Sequence, residues 1–151
     1  MGNLDGGAQV GLVIVTHGDC GEDLLEAAGE IVGPVPSSTS VSVPTSERFE
    51  TIVARVGRAC DEVDHGAGVL ILADVHGSSP FRACLAMMDG TRAVEIVCGV
   101  NLPMLIKLAT CDRGGLRPAE VAELVKEVGK RSIRLGSELS GALSAPRVDH
   151  R

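Results

Sequence analysis

Residues 10–18 run Val-Gly-Leu-Val-Ile-Val and then stop at Thr16, His17 and Gly18. An apolar run with no polar interruption predicts a strand covered on both faces, and such strands belong to parallel sheets flanked by helices. The residue that ends the run then emerges at the carboxyl edge of the sheet, where open α/β folds bind ligands and carry out chemistry. His17 stands there. A single histidine at such an edge serves equally well as a capping or hydrogen-bonded loop residue, so the rest of the chain must decide its role.

The pattern recurs. Residues 69–74 form a second apolar run that ends in Asp74, residues 94–98 a third followed by Gly99, and residues 39–43 a shorter β-branched stretch with alternating polarity. Helical spacing fills the gaps. Asp19 and Glu22 resemble a capping box before Leu24, Leu25, Ala28, Ile31 and Val32. Pro44, Thr45 and Ser46 open a helix whose apolar stripe is Phe49, Ile52, Val53, Val56, Cys60 and Val63. Ser79 reads as the cap of a third helix, with Pro80 in its first turn and Phe81, Cys84, Leu85 and Met88 buried. Asn101 and Pro103 begin a fourth, to about Ala109, and Pro118 a fifth, which Gly129 closes.

Strands alternating with helices predict an α/β fold, a three-layer αβα open sheet of four parallel strands with right-handed crossovers. Residues 131–135 read as a short, lone edge strand. The expected domain spans residues 10–136, between a flexible N-terminus at 1–9 and a disordered tail at 137–151.

Composition narrows the function. A chain of 151 residues suits one domain with a proper core. A net charge of −6 without a basic stripe argues against nucleic acid or an anionic membrane as partner, and two phenylalanines are too few for a base-stacking platform. The five cysteines are odd in number and widely spaced, which suits reduced thiols better than disulfides. No signal peptide and no membrane-spanning run is evident, so a cytoplasmic protein is expected. Nucleotide signatures are missing too: Gly66 and Gly68 precede a strand instead of following one.

His17, Asp74, Ser78 and Ser79 are left at one sheet edge. A carboxylate that accepts Nδ1–H fixes a histidine tautomer and frees Nε2 as a nucleophile. Hydroxyls and unpaired N–H groups at a helix start then receive an anion, and a phosphoryl group fits best. The same residue types also compose a serine hydrolase, with Ser78 or Ser79 as nucleophile, His17 as base and Asp74 as orienter, although G-x-S-x-G is absent. A metal site from His17, Asp74, His76 and Cys20 is a third arrangement, without standard ligand spacing.

Three motifs, Gly11-Leu-Val-Ile-Val-Thr-His17-Gly18, Asp74-Val-His-Gly77-Ser-Ser79-Pro80-Phe81 and Gly99-Val-Asn-Leu-Pro-Met-Leu105, stand in the order and spacing of a known family. The chain resembles the mannose-type enzyme IIA domains of the bacterial phosphoenolpyruvate-dependent sugar phosphotransferase system over residues 10–136. The resemblance implies a phosphotransferase-type carrier that takes a phosphoryl group on His17 from the phosphocarrier protein HPr. It passes the group to an enzyme IIB, expected as a separate chain, with no metal or other cofactor. Asp74 would orient His17, and Ser79, with Gly77, Ser78, Thr16 and Gly18, would hold the phosphoryl group. The resemblance further implies a homodimer in which the strand near 132–135 is exchanged and runs antiparallel to the sheet. Ser78 stands where the family usually has glycine, Arg82 where many members have asparagine, and His76 where a bulky apolar residue is common. A regulatory phospho-acceptor without sugar transport is the alternative role.

Overall fold

The computed structural model describes residues 7–143. Residues 1–6 of the expected flexible N-terminus and 144–151 of the expected tail lie outside them. Four strands, β1 (Gly11–His17), β2 (Ser38–Val43), β3 (Val69–Ala73) and β4 (Val94–Cys98), form a parallel sheet in the order β2-β1-β3-β4. Helices α1 (Cys20–Val32), α2 (Phe49–Val63), α3 (Ser79–Leu85), α4 (Leu102–Thr110), α5 (Pro118–Arg131) and α6 (Gly136–Leu143) complete the described chain.

Alternation along the central strand distributes the core. Leu12 and Ile14 point to the face covered by α1, α4 and α5, with Ala28, Leu105, Leu108, Val121 and Val125. Val13 and Val15 point to the other face, where α2 and α3 contribute Ile52, Val56, Cys60, Ala83 and Cys84. Each large aliphatic side chain fully buried in this way contributes about 1.5–3 kcal/mol. The three-layer expectation from the apolar runs therefore holds. β1 and β3 are both fully buried along their apolar runs because they lie inside the sheet.

The ends of elements differ from expectation in ways that have local causes. The Asp19–Glu22 capping box does not form: Asp19 has φ −90° and ψ 12°, away from extended capping geometry, and its side chain caps nothing. The Thr16 hydroxyl instead accepts the N–H of Gly21 at 2.8 Å. Residues 44–48 are not helical; Pro44 accepts a turn bond from the Glu47 N–H, and α2 begins at Phe49. The α3 cap is Ser78, whose hydroxyl accepts from the Phe81 N–H, so Ser79 is the first helical residue. Leu85, Met88, Phe49 and Ile31 were expected inside and are exposed; Ala83 and Ala59 take buried places instead.

The fifth strand is absent among the described residues. Arg131 is still helical, and the Ser132 N–H bonds the Val128 and Gly129 carbonyls, so half of the proposed strand is spent on the end of α5. Ile133 and Leu135 follow, 78% and 62% exposed, and α6 starts where the tail was expected to be unstructured. Gly129 does not stop α5 either. It is buried within the helix, where a Cβ would overlap the Met104 side chain of α4.

Candidate functional site

The strand order places His17 and Asp74 together. Chain connections leave β1 toward β2 on one side and return across it to β3 on the other, so the carboxyl ends of β1 and β3 flank the point where the sheet reverses direction. Open α/β sheets bind ligands in the crevice at such a point. Val15 pairs with Ala73, so Asp74 lies one residue past this pair and His17 two residues past it, at the ends of adjacent strands.

Asp74 holds His17 twice. Its Oδ2 accepts the His17 backbone N–H at 2.8 Å and lies 2.8 Å from Nδ1, while Oδ1 accepts the Val75 N–H at 2.8 Å. Burial works to raise the pKa of Asp74, yet the bonds from the His17 backbone, the His17 ring and Val75 outweigh it and hold the carboxyl below its ordinary value. Asp74 is thus an anion near neutral pH, and an anion at Nδ1 places the proton on that nitrogen and leaves Nε2 unengaged. The ring itself is about half exposed.

A cleft of about 240 Å³ opens beside it, lined by His17 and Ser79 together with Val43, Pro44, Thr45, Glu47, Ile52 and Pro80. The Ser79 hydroxyl forms no hydrogen bond among the described residues. Gly77, two residues earlier, has φ +81°, a conformation that glycine adopts without strain. The Ser79 hydroxyl is left as a donor in the cleft.

The other three residues expected to bind an anion are already occupied. Thr16 is fully buried, and its hydroxyl donates to the Gly18 carbonyl at 3.2 Å while accepting from Gly21. The Gly18 N–H donates to the Val43 carbonyl at 2.9 Å. The Ser78 hydroxyl donates to the Val75 carbonyl at 2.8 Å and accepts from Phe81 at 3.4 Å. These hydrogen bonds shape the loops around His17. Ser78 has φ −72°, so a side chain at a usual glycine position carries no backbone strain.

Neither serine is hydrogen-bonded to His17 among the described residues, so the nucleophile–base pair of a hydrolase is not assembled. No cluster of three or more His, Cys, Asp or Glu that could hold a metal occurs among the described residues. All five cysteines are free, and burial pushes the Cys60 and Cys84 thiols up to about 11 and about 12, which keeps them protonated and unreactive. His76 packs against Phe81 with ring centroids 5.0 Å apart, and the Arg82 guanidinium lies 5.9 Å from the centre of the Phe49 ring.

Sequence reasoning missed the β2–α2 turn. Glu47 lines the cleft, and its Oε2 is bonded by Arg55 Nη1 at 2.6 Å; the same nitrogen bonds the Ser42 carbonyl at 2.8 Å. Pro44, directly after a strand and therefore at the same sheet edge as His17, was the available signal.

The family model described as "PTS system fructose IIA component" (EIIA-man) matches residues 11–128. The chain belongs to this mannose-type enzyme IIA family. Among curated relatives, the "PTS system mannose-specific EIIAB component" of Escherichia coli K12 is 28% identical over 125 residues, covering 83% of this chain. The chain spans only 39% of that relative's length. The "PTS system fructose-specific EIIA component" of Bacillus subtilis is 25% identical over 129 residues, 85% of this chain and 88% of the relative. The mannose/sorbose-specific IIA subunit from Enterococcus faecalis superposes with a TM-score of 0.73 at 23% identity, covering 84% of this chain and 94% of that one. A phosphotransferase EIIA from Streptococcus agalactiae gives 0.75 at 19% identity, over 85% and 98%. Both structures share the fold. Membership places the chain among the IIA components of sugar phosphotransferase systems. No helix among the described residues is long and apolar enough to cross a membrane.

Proposed function

We propose that this enzyme IIA accepts a phosphoryl group on His17 Nε2 from phospho-HPr and delivers it to an enzyme IIB. The observation that carries the reading is the Asp74 carboxylate on Nδ1, which leaves Nε2 as the ring nitrogen free to react. Nε2 attacks phosphorus in line with the donor's nitrogen–phosphorus bond. A new nitrogen–phosphorus bond forms as the old one breaks, and the donor imidazole leaves with the electron pair. The positive charge that the His17 ring gains is met by Asp74, and the phosphoryl oxygens take the Ser79 hydroxyl and the Gly77 N–H. Transfer to the next acceptor repeats these events in reverse. Catalysis then consists of positioning and anion stabilisation, which dominate phosphoryl transfer generally.

The reading includes assembly as a homodimer. Ile133 and Leu135 stand exposed after α5, the outer strand β4 has an open edge, and a second copy would cover both.

Incubation with phosphoenolpyruvate, enzyme I and HPr should add one acid-labile, alkali-stable phosphoryl group to the wild type and none to His17→Ala. Equal labelling of both proteins would overturn the assignment.

A further inference from the structure

Glu47 stands in the wall of the cleft that also holds His17 and Ser79, and its side chain is only 12% exposed. A free carboxylate at that place would oppose a phosphoryl dianion, because like charges beside a protein surface repel more strongly than in bulk water. The cleft tolerates the acid because Arg55 reaches it from α2. Its Nη1 bonds Glu47 Oε2 at 2.6 Å, and the guanidinium is itself two-thirds buried, so the pair is shielded from screening by salt. Arg55 also grips the Ser42 carbonyl on β2, which fixes the guanidinium to the sheet and not merely to the mobile end of an acid. Among the described residues neither arginine nor lysine lines the cleft itself, so Arg55 acts from behind its wall.

We infer that Arg55 is a positioning residue for phosphoryl transfer, which neutralises Glu47 so that the cleft beside His17 accepts an incoming dianion. The inference rests on the proposed phosphorylation of His17. Arg55 does not touch the reacting atoms; it acts through Glu47. A guanidinium suits the task because it keeps its charge at every working pH and spans an acid and a carbonyl at once. The arrangement also gives the turn its second function: Pro44 and Thr45 form the cleft floor while Glu47, three residues on, anchors them to α2.

The test measures the rate of phosphorylation by phospho-HPr and the phosphorylated fraction at equilibrium with a fixed donor ratio, for folded proteins checked by thermal melting. Arg55→Met should slow acceptance about tenfold and lower the equilibrium fraction, because Glu47 then faces the phosphoryl group unpaired. Adding Glu47→Gln to that variant should restore most of both quantities, and Arg55→Lys should retain an intermediate rate. A double variant as impaired as Arg55→Met would show that the Ser42 carbonyl bond or turn packing matters and charge does not, which overturns the inference. Unchanged transfer in Arg55→Met would overturn it as well. Failure of the wild type to become phosphorylated would instead sink the His17 reading, so the two failures are distinct.

Discussion

Two adjacent serines show how little residue type alone says about role. Ser78 and Ser79 carry the same hydroxyl, but the first is spent on the Val75 carbonyl and the Phe81 N–H while the second is free at the cleft. Their substitutions should therefore separate. Ser79→Ala should slow phosphoryl acceptance about tenfold, the loss expected for a hydrogen bond to a charged group, and leave stability within about 0.5 kcal/mol. Ser78→Ala should cost up to about 1 kcal/mol in denaturant unfolding, the usual worth of a helix cap, with the transfer rate near wild type. Stopped labelling kinetics and urea melts distinguish the two outcomes. The placement of His17 and Asp74 at one sheet edge was legible in the sequence because each ends an apolar run. That Asp74 also holds the His17 backbone N–H was not, since only the strand register makes that contact.

Secondary elements were legible where side chains state a boundary locally. Asn101 caps α4 by accepting the Met104 N–H at 3.2 Å, and Pro118 starts α5, as their types announce. Boundaries failed where a distant partner decides. Gly129 reads as a helix stop, yet it is a contact point: the approach of Met104 leaves no room for a Cβ. Gly129→Ala should accordingly destabilise the protein by roughly 1–3 kcal/mol despite alanine's better helix propensity, because overpacking outweighs the gain. Urea unfolding checks the sign, and a stabilised variant would mean that Met104 simply turns aside. The segment 131–135 failed for a similar reason. Alternating Ile133 and Leu135 imitate a strand, but nothing within the described residues lies alongside to pair with them.

At the scale of the molecule, the charge of Asp74 contributes to the stability of the fold. The Asp74 pKa is held below its ordinary value by three hydrogen bonds, against the opposing effect of burial. A carboxyl whose folded value is depressed contributes stability that is fully present above its unfolded value, about 3.9, and is lost as pH falls through the folded value. The difference in unfolding free energy between wild type and Asp74→Asn should therefore hold steady near neutral pH and shrink below about pH 4. Denaturant midpoints measured from pH 7 to pH 3 test this; a difference independent of pH would mean that Asp74 gains nothing from its charge. The order β2-β1-β3-β4 also explains why one crevice gathers residues from the ends of the neighbouring strands β1 and β2 and from α2 and α3.

By itself the sequence determined the alternation of strands and helices, the layers on either side of the sheet, and the residue types gathered at its carboxyl edge. Those follow from periodicity and capping, which act over a few neighbouring residues. Only the tertiary structure decided which groups at that edge are free. Thr16, Gly18 and Ser78 are consumed by bonds to neighbouring turns, and Glu47 reaches the cleft neutralised by Arg55. Hydrogen-bond capacity is finite, and its allocation depends on strand order, register and the path of each turn, contacts between residues far apart in the chain.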